Sequence, residues 1–405
     1  MPMLKSLRDR TGLTTTGFVV LLAAAGGWLL ARWVGGRTLF VLVYGVVVVV
    51  GIARFLGRRR PDLVAERSDL PSRLRQGQRM EIELAVSGKR RVGVFLLEER
   101  MHPHLGRERT VAVAGLAPGQ SVEHRYSVTP KLRGVYEVGP LMAVWTDPFG
   151  LTRSTTQLLE PVRVIVHPAT EAVHDRPLTR QWEDPPTRPP ESKPWPSGFE
   201  FYGMRDYVRG DELKRVVWKA VARTGKLLIR QSEQGITDKV HLLIDTDRSS
   251  HSPGEPSDTF EAAVKTAASL AVYHLKTGFS VTLFDNRGRV GAPYRNEPGR
   301  IPMLDQLAFL QRGTEPLSGA VAALAGAARN AHTIVVTPHL DRETAARLKL
   351  LIDQGTHVVL VILTWEESDP RTMVFAQTLG CQVVQLRPLL PLEAVFRAEV
   401  GAGRR

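Results

Sequence analysis

The sequence predicts a multi-domain membrane protein: an N-terminal transmembrane helical hairpin, an all-β sandwich-like domain, and a C-terminal α/β domain built on a mainly parallel sheet. Three observations predict it. Two almost purely apolar runs, residues 14–34 and 39–56, open the chain, each close to the roughly 20 residues that a helix needs to cross the hydrocarbon core. Strand-length segments separated by Gly, Pro and Ser follow, up to residue 168. From residue 239 onward, short apolar runs alternate with stretches of helical periodicity, the pattern of strands covered by helices on both faces.

The first run resembles a signal peptide in position, but a second hydrophobic run begins so soon after it that a retained hairpin is the better reading. Lys5, Arg8 and Arg10 precede the hairpin and Arg54, Arg58, Arg59 and Arg60 follow it, whereas the connecting turn carries Arg32 and Arg37. That bias places both ends, and everything after them, on the cytoplasmic side of the cell membrane. With 54 Lys and Arg against 41 Asp and Glu, the net charge of +13 favours acidic surfaces, and in a membrane-tethered chain anionic lipid comes before nucleic acid. One cysteine, Cys381, excludes an intrachain disulfide and any multi-cysteine metal site.

The β domain spans residues 61–168, after a cytoplasmic N-terminus (1–13) and the two spans (14–57). Its strands are read at MEIELAV (80–86), VGVFLLEE (92–99), RTVAVAGL (109–116), SVEHRYSV (121–128) and VRVIVHP (162–168). TDPFGL (146–151) is read as turn chemistry, and His102 with His104 as a loop, since no third ligand candidate stands near them. Residues 169–197 are rich in proline and charge, the composition of a linker that buries too little apolar area to fold alone.

Residues 198–405 form the last domain. It begins with GFEFYGMRDYVRGDELKRVVWKAVARTGKLLIRQSE (198–233), in which Gly210 and Asp211 read as a turn and N-cap, and Gly225 as the stop of a helix starting near Glu212. Leu213, Val216, Val217, Ala220 and Val221 make its apolar stripe, leaving Lys214, Arg215, Trp218, Lys219 and Arg223 on the flanks and far side. Strands are expected over 239–245, 279–285, 333–337, 357–363 and 381–386, and helices over 259–276, 302–311, 317–329, 343–354 and 371–379. The functional edge of such a sheet lies at the strand C-termini, the first of which is Asp245.

Glu200, Phe201, Arg205, Tyr207, Gly210, Asp211, Arg215, Trp218, Lys219, Ala222, Arg223 and Thr224, in order and nearly without gaps, resemble the signature of the domain of unknown function 58 family. These are MoxR-associated proteins with a von Willebrand A-like domain. The resemblance implies that fold for the last domain, places 133–140 and 146–151 near the last strands of the β domain, and implies a MoxR-type AAA+ ATPase as partner. It also implies that Asp245-Thr246-Asp247-Arg248-Ser249 stands where such a domain carries its metal-ion-dependent adhesion motif, with Asp247 replacing the first serine and Thr314 as a further ligand. Mg²⁺ is then the expected cation, because carboxylates and hydroxyls supply the hard oxygens it prefers. The competing reading is that Asp245 and Asp247 cap the following structure. In the loop expected to give another aspartate the chain reads Thr337-Pro338-His339, and the nearest carboxylate, Asp341, reads as a helix N-cap.

No phosphate-binding loop, HExxH, GxSxG or Cys/His constellation occurs, so neither a nucleotide nor an organic cofactor is expected. Arg205, Arg209, Lys214, Arg215, Lys219 and Arg223 serve either an external acidic partner or internal ion pairs with groups such as Asp206 and Asp211. The expected function is a non-enzymatic, membrane-anchored adaptor working with the ATPase to assemble or remodel a membrane or cell-envelope complex. A metal-dependent hydrolase using the Asp245 cluster is the alternative.

Overall fold

The structure, a computed structural model, describes residues 12–57, 61–173, 201–208, 216–232, 239–325, 331–365, 370–387 and 392. It divides into two compact units, Met1–Ala169 and Thr170–Arg405.

The first unit opens with α1 (Thr15–Val34) and α2 (Arg37–Gly57). Thr14 caps α1 by accepting from the Gly17 amide (3.0 Å), and Gly35 ends it in the left-handed conformation that lets its amide reach the Ala31 carbonyl. Both helices are long and apolar enough to cross a membrane. Leu29, Trp33, Val41 and Leu42 lie exposed along them.

Nine strands follow: β1 (Leu63–Arg67), β2 (Arg73–Arg75), β3 (Met80–Gly88), β4 (Phe95–Met101), β5 (Arg109–Val113), β6 (Ser121–Val128), β7 (Gly134–Thr146), β8 (Arg153–Leu159) and β9 (Val162–His167). They form two sheets, β1-β3-β6 and β2-β9-β7-β4-β5, with β8 paired to β7. Period-two alternation gives each sheet one apolar face; Ile82, Leu84 and Tyr126 share a core with Phe95, Leu97, Val138 and Val164 from the other sheet. Arg67 and Glu99, their side chains both buried, are joined at 2.7 Å, and the Tyr126 hydroxyl donates to the same carboxylate, which ties the two sheets through a buried charge pair. Four strands lie outside the ranges expected from the sequence: the short β1 and β2, and β7 with its partner β8, of which only 133–140 is placed near the last strands.

The TDPFGL turn between them does more than reverse the chain. Thr14 donates to it through its amide (to Leu151 O, 2.9 Å) and its hydroxyl (to Gly150 O, 2.7 Å). From the flanking strands, Trp145 Nε1 and Ser154 Oγ donate to the Gly57 carbonyl at 3.1 and 2.7 Å. The last two satisfy the Gly57 carbonyl, which the end of α2 leaves open, and together the four bonds root the hairpin in the β unit.

In the second unit, β10 (Phe201–Asp206) and β11 (Leu228–Ser232) pair antiparallel around the short α3 (Trp218–Thr224). The remainder runs β12 (Lys239–Ile244), α4 (Asp258–Lys276), β13 (Ser280–Asp285), β14 (Gly288–Tyr294), α5 (Arg300–Phe309), α6 (Leu317–Leu324), β15 (His332–Thr337), α7 (Arg342–Asp353), β16 (His357–Leu363), α8 (Pro370–Thr378) and β17 (Gln382–Leu386). The sheet order is β14-β13-β12-β15-β16-β17, with all neighbours parallel except the edge pair β13/β14. One apolar cluster covers one face through α4 and α5, and a second covers the other through α6, α7 and α8. β12, β13, β15 and β16 are buried on both sides for that reason.

The helix expected from Glu212 begins instead at Trp218. Val216 sits in a β-bridge with Ile229, and the Val217 amide donates to Leu228 O (2.9 Å), so these two valines are strand-like and part of the apolar stripe belongs to the β10–β11 layer. Residues 209–215, with the proposed Gly210–Asp211 cap, lie outside the described residues.

Candidate functional site

In a doubly wound sheet, chain connections leave the first strand in opposite directions at the point where the order reverses, and the strand ends open a crevice there. Here that point lies between β12 and β15, since β12 connects through α4 to β13 on one side while β15, on the other, starts the run toward β17. Asp245 follows β12 directly and is fully buried. Its Oδ1 accepts from the Asp247 amide and from Asn286 Nδ2, each at 3.0 Å, and its Oδ2 accepts from Thr337 Oγ1 at 2.7 Å. Asn286 comes from the end of β13 and Thr337 from the end of β15, so three strand ends converge on one carboxylate.

The surrounding groups are equally committed. Asn286 Oδ1 accepts from the Thr246 amide (3.0 Å) and its Nδ2 also reaches Glu315 O (2.7 Å). The buried His251 places Nε2 2.9 Å from Asp245 O and Nδ1 3.1 Å from Thr259 Oγ1. Burial lowers the His251 pKa; the nearby Asp245 charge opposes that shift without cancelling it.

The candidate metal residues are brought to this corner. Asp247 Oδ1 accepts from the Ser249 amide (2.9 Å), forming an Asx turn, and Ser249 is exposed. Gly313 bridges to Asp247 and donates to Thr246 O (2.7 Å), which sets Thr314, also exposed, beside the same loop. Among the described residues no group of three or more His, Cys, Asp or Glu is placed to hold a metal; an ion here would depend on hydroxyls. Asp341 accepts from the Thr344 amide at 2.6 Å and caps α7, as its position predicts. Sequence reasoning missed Asn286, Thr337 and His251. Asn286 and Thr337 reach Asp245 across 41 and 92 residues, which no local spacing announces, and the Thr337 loop reads in the sequence only for the aspartate it lacks; His251 lies six residues past Asp245 and reads as a lone histidine.

The signature residues fall elsewhere. Val216 and Ile229 are buried, whereas Trp218 is 64% exposed and Lys219 and Arg223 are exposed beside it on α3. Gly225, in the left-handed conformation (φ 69°), ends the helix with its amide on Val221 O, as predicted. Arg205 lies on β10, in register with Ile229. Gly210, Asp211, Lys214 and Arg215 lie outside the described residues.

Residues 203–372 match the family model described as a protein of unknown function, DUF58, which bears out the resemblance carried by the signature. No curated protein matches the chain. Among solved structures, the CARDB domain of a Pyrococcus furiosus protein is 21% identical, over 26% of this chain and 94% of that one, with a TM-score of 0.19. A β-glucosidase from Listeria innocua is 12% identical over 26% and 16% of the two chains (TM-score 0.18), and one from Erythrobacter marinus 16% identical over 25% and 15% (TM-score 0.16). At these scores the likenesses carry no argument.

Proposed function

We propose, on the premise that residues 203–372 carry a domain of the DUF58 family, that this chain is a membrane-anchored, non-enzymatic adaptor. In this reading α1 and α2 hold it in the cell membrane with both units on the cytoplasmic side, and the second unit is von Willebrand A-like. The mainly parallel sheet with one antiparallel edge strand supports that last point. The partner would be a MoxR-type AAA+ ATPase engaged in assembling or remodelling a membrane or cell-envelope complex. Energy for such work would come from the ATPase, because the chain has no phosphate-binding loop.

The observation that carries the reading is Trp218. A tryptophan 64% exposed on a two-turn helix, flanked by exposed Lys219 and Arg223 and backed by buried Val216 and Ile229, is a costly arrangement in water and a productive one at an interface. Its cations select for an acidic partner surface. Asp245 supports the same conclusion from the other side: both of its oxygens are engaged by protein donors, which is the environment of a structural carboxylate rather than a nucleophile. Mg²⁺ is proposed only as an accessory ligand of Asp247, Ser249, Thr314 and Asp245.

Co-purification from the native cells, in detergent, tests the proposal. Wild type should recover an ATPase, and a Trp218→Ala/Lys219→Glu/Arg223→Glu variant should lose it. Recovery of no ATPase, together with hydrolytic activity that vanishes in Asp245→Ala, would replace the adaptor by a hydrolase.

A further inference from the structure

We infer that the end of the β unit in which the hairpin is rooted is a lipid-binding face, basic and apolar-tipped, that lies on the anionic headgroups of the bilayer crossed by α1 and α2. The inference rests on reading those helices as membrane spans. Two loops build the face.

The first is the turn between β7 and β8. Its bonds to Thr14, and those of Trp145 and Ser154 to Gly57, hold it level with the first residue of α1 and the last of α2. Those are the two points where the apolar runs meet water. Phe149 stands on this turn and is 55% exposed. It is presented rather than loose: beneath it the buried Asp147 accepts from the amides of Phe149 (2.8 Å) and Thr152 and from the Thr152 hydroxyl (2.7 Å). Burial alone would raise the Asp147 pKa, but these donors outweigh it and lower the value, so the turn stays clamped at neutral pH. An aromatic ring fixed at the level where hydrocarbon begins is where membrane proteins place their interfacial anchors.

The second is the loop between β3 and β4. The Lys89 amide donates to Asp62 O at 3.0 Å, and Asp62 lies five residues past Gly57, a reach of at most roughly 17 Å. Lys89, Arg90 and Arg91 are all exposed, and Val94 is 69% exposed. The antiparallel pairing of Leu96 with Val144 puts the start of β4, which Val94 immediately precedes, at the same end of the sheet as the end of β7, from which the Phe149 turn leaves. Arg153, by contrast, is already engaged by Glu98 at 2.6 Å. Three open cations around two exposed apolar tips, within a short tether of a span, match an anionic leaflet in both charge and polarity.

The test uses the full-length protein in a Cys381→Ser background with single cysteines carrying an environment-sensitive fluorophore. Proteoliposomes are made of phosphatidylcholine, with or without phosphatidylglycerol, and carry nitroxides placed near the headgroup or deep in the chain. Probes at Phe149→Cys and, independently, Val94→Cys should be quenched by the shallow nitroxide. Phosphatidylglycerol should increase the quenching, and Lys89→Glu/Arg90→Glu/Arg91→Glu should abolish the increase. A probe at Arg79→Cys, at the opposite end of β3, should remain unquenched. Absence of quenching at both 149 and 94 while a Leu29→Cys probe is quenched by the deep nitroxide would overturn the inference alone. Absence of quenching at Leu29 would overturn the membrane reading and the inference with it. Quenching at 149 and 94 that ignores both phosphatidylglycerol and the triple variant would overturn the anionic specificity.

Discussion

Thr337 Oγ1 lies 2.7 Å from Asp245 Oδ2 and joins the C-terminal ends of β15 and β12 across the point where the sheet order reverses. Because the bond is buried and sequence-distant, its loss should appear in stability. Thr337→Val keeps the shape, removes one donor and is expected to cost about 1–2 kcal/mol. Asp245→Ala strands the Asn286 and Asp247 donors as well and is expected to cost about 2–4 kcal/mol, lowering Tm by roughly 4–12 °C. Thermal unfolding of the detergent-solubilised protein measures both, and an Asp245→Ala variant as stable as wild type would show the network to be dispensable.

Acid should weaken the second unit before most carboxylates titrate. His241 on β12 and His332 on β15 are buried. Burial lowers both pKa values below the ordinary 6.5, assisted by the charge of Lys239 for His241 and of His357 for His332. The fold thus favours the neutral ring, and the unfolded chain binds the extra protons. That part of the stability is fully present above pH 6.5 and is lost as the pH falls from there through the depressed folded values. Melting curves between neutral and mildly acidic pH should show the decline, and His241→Gln/His332→Gln should flatten it. An unchanged slope in the double variant would assign the acid sensitivity to other groups.

Mg²⁺ binding needs a variant that spares the network. Asp247→Ala removes a proposed ligand while leaving the backbone amide that donates to Asp245 Oδ1 in place. If the cation binds, saturating Mg²⁺ should raise the wild-type Tm, and the rise should vanish in Asp247→Ala, since a ligand of the folded state stabilises it by mass action. No shift in wild type at millimolar Mg²⁺ ends the proposal.

Why some of this was readable from the sequence and some was not follows from the range of the interactions. β12, β13, β15 and β16 announce themselves as apolar runs because both of their faces are buried, and Asp245 stands out as the first charge after one of them. β14, an antiparallel edge strand reading GRVGAPY with most positions open to solvent, carries too little apolar signal to see. Val216 and Val217 fit a helical stripe and a strand equally well; only the bridge to Ile229, a tertiary fact, decides between them. The TDPFGL turn was legible as a turn, but not as the root of the hairpin, because Thr14 lies more than a hundred residues before its partner Gly150.

The proposed partner surface on α3 makes the sharpest separation between folding and binding. Trp218 is 64% exposed, so Trp218→Ala removes little buried area and should leave Tm nearly unchanged. Val216, 6% exposed and bridged to Ile229, is its neighbour in sequence and its opposite in role; Val216→Ala should cost about 1–3 kcal/mol of stability. If α3 docks the ATPase, Trp218→Ala should weaken binding by about 2 kcal/mol, or roughly 30-fold, as truncation of an aromatic anchor does. Val216→Ala should retain affinity at temperatures where it stays folded. Lys219→Glu and Arg223→Glu should slow association and make it less sensitive to salt, because exposed charges act on the approach of the partner more than on the final complex. Surface-immobilised full-length protein in detergent, titrated with the co-purified ATPase, gives all three quantities. Equal affinity in wild type and Trp218→Ala would move the interface away from α3.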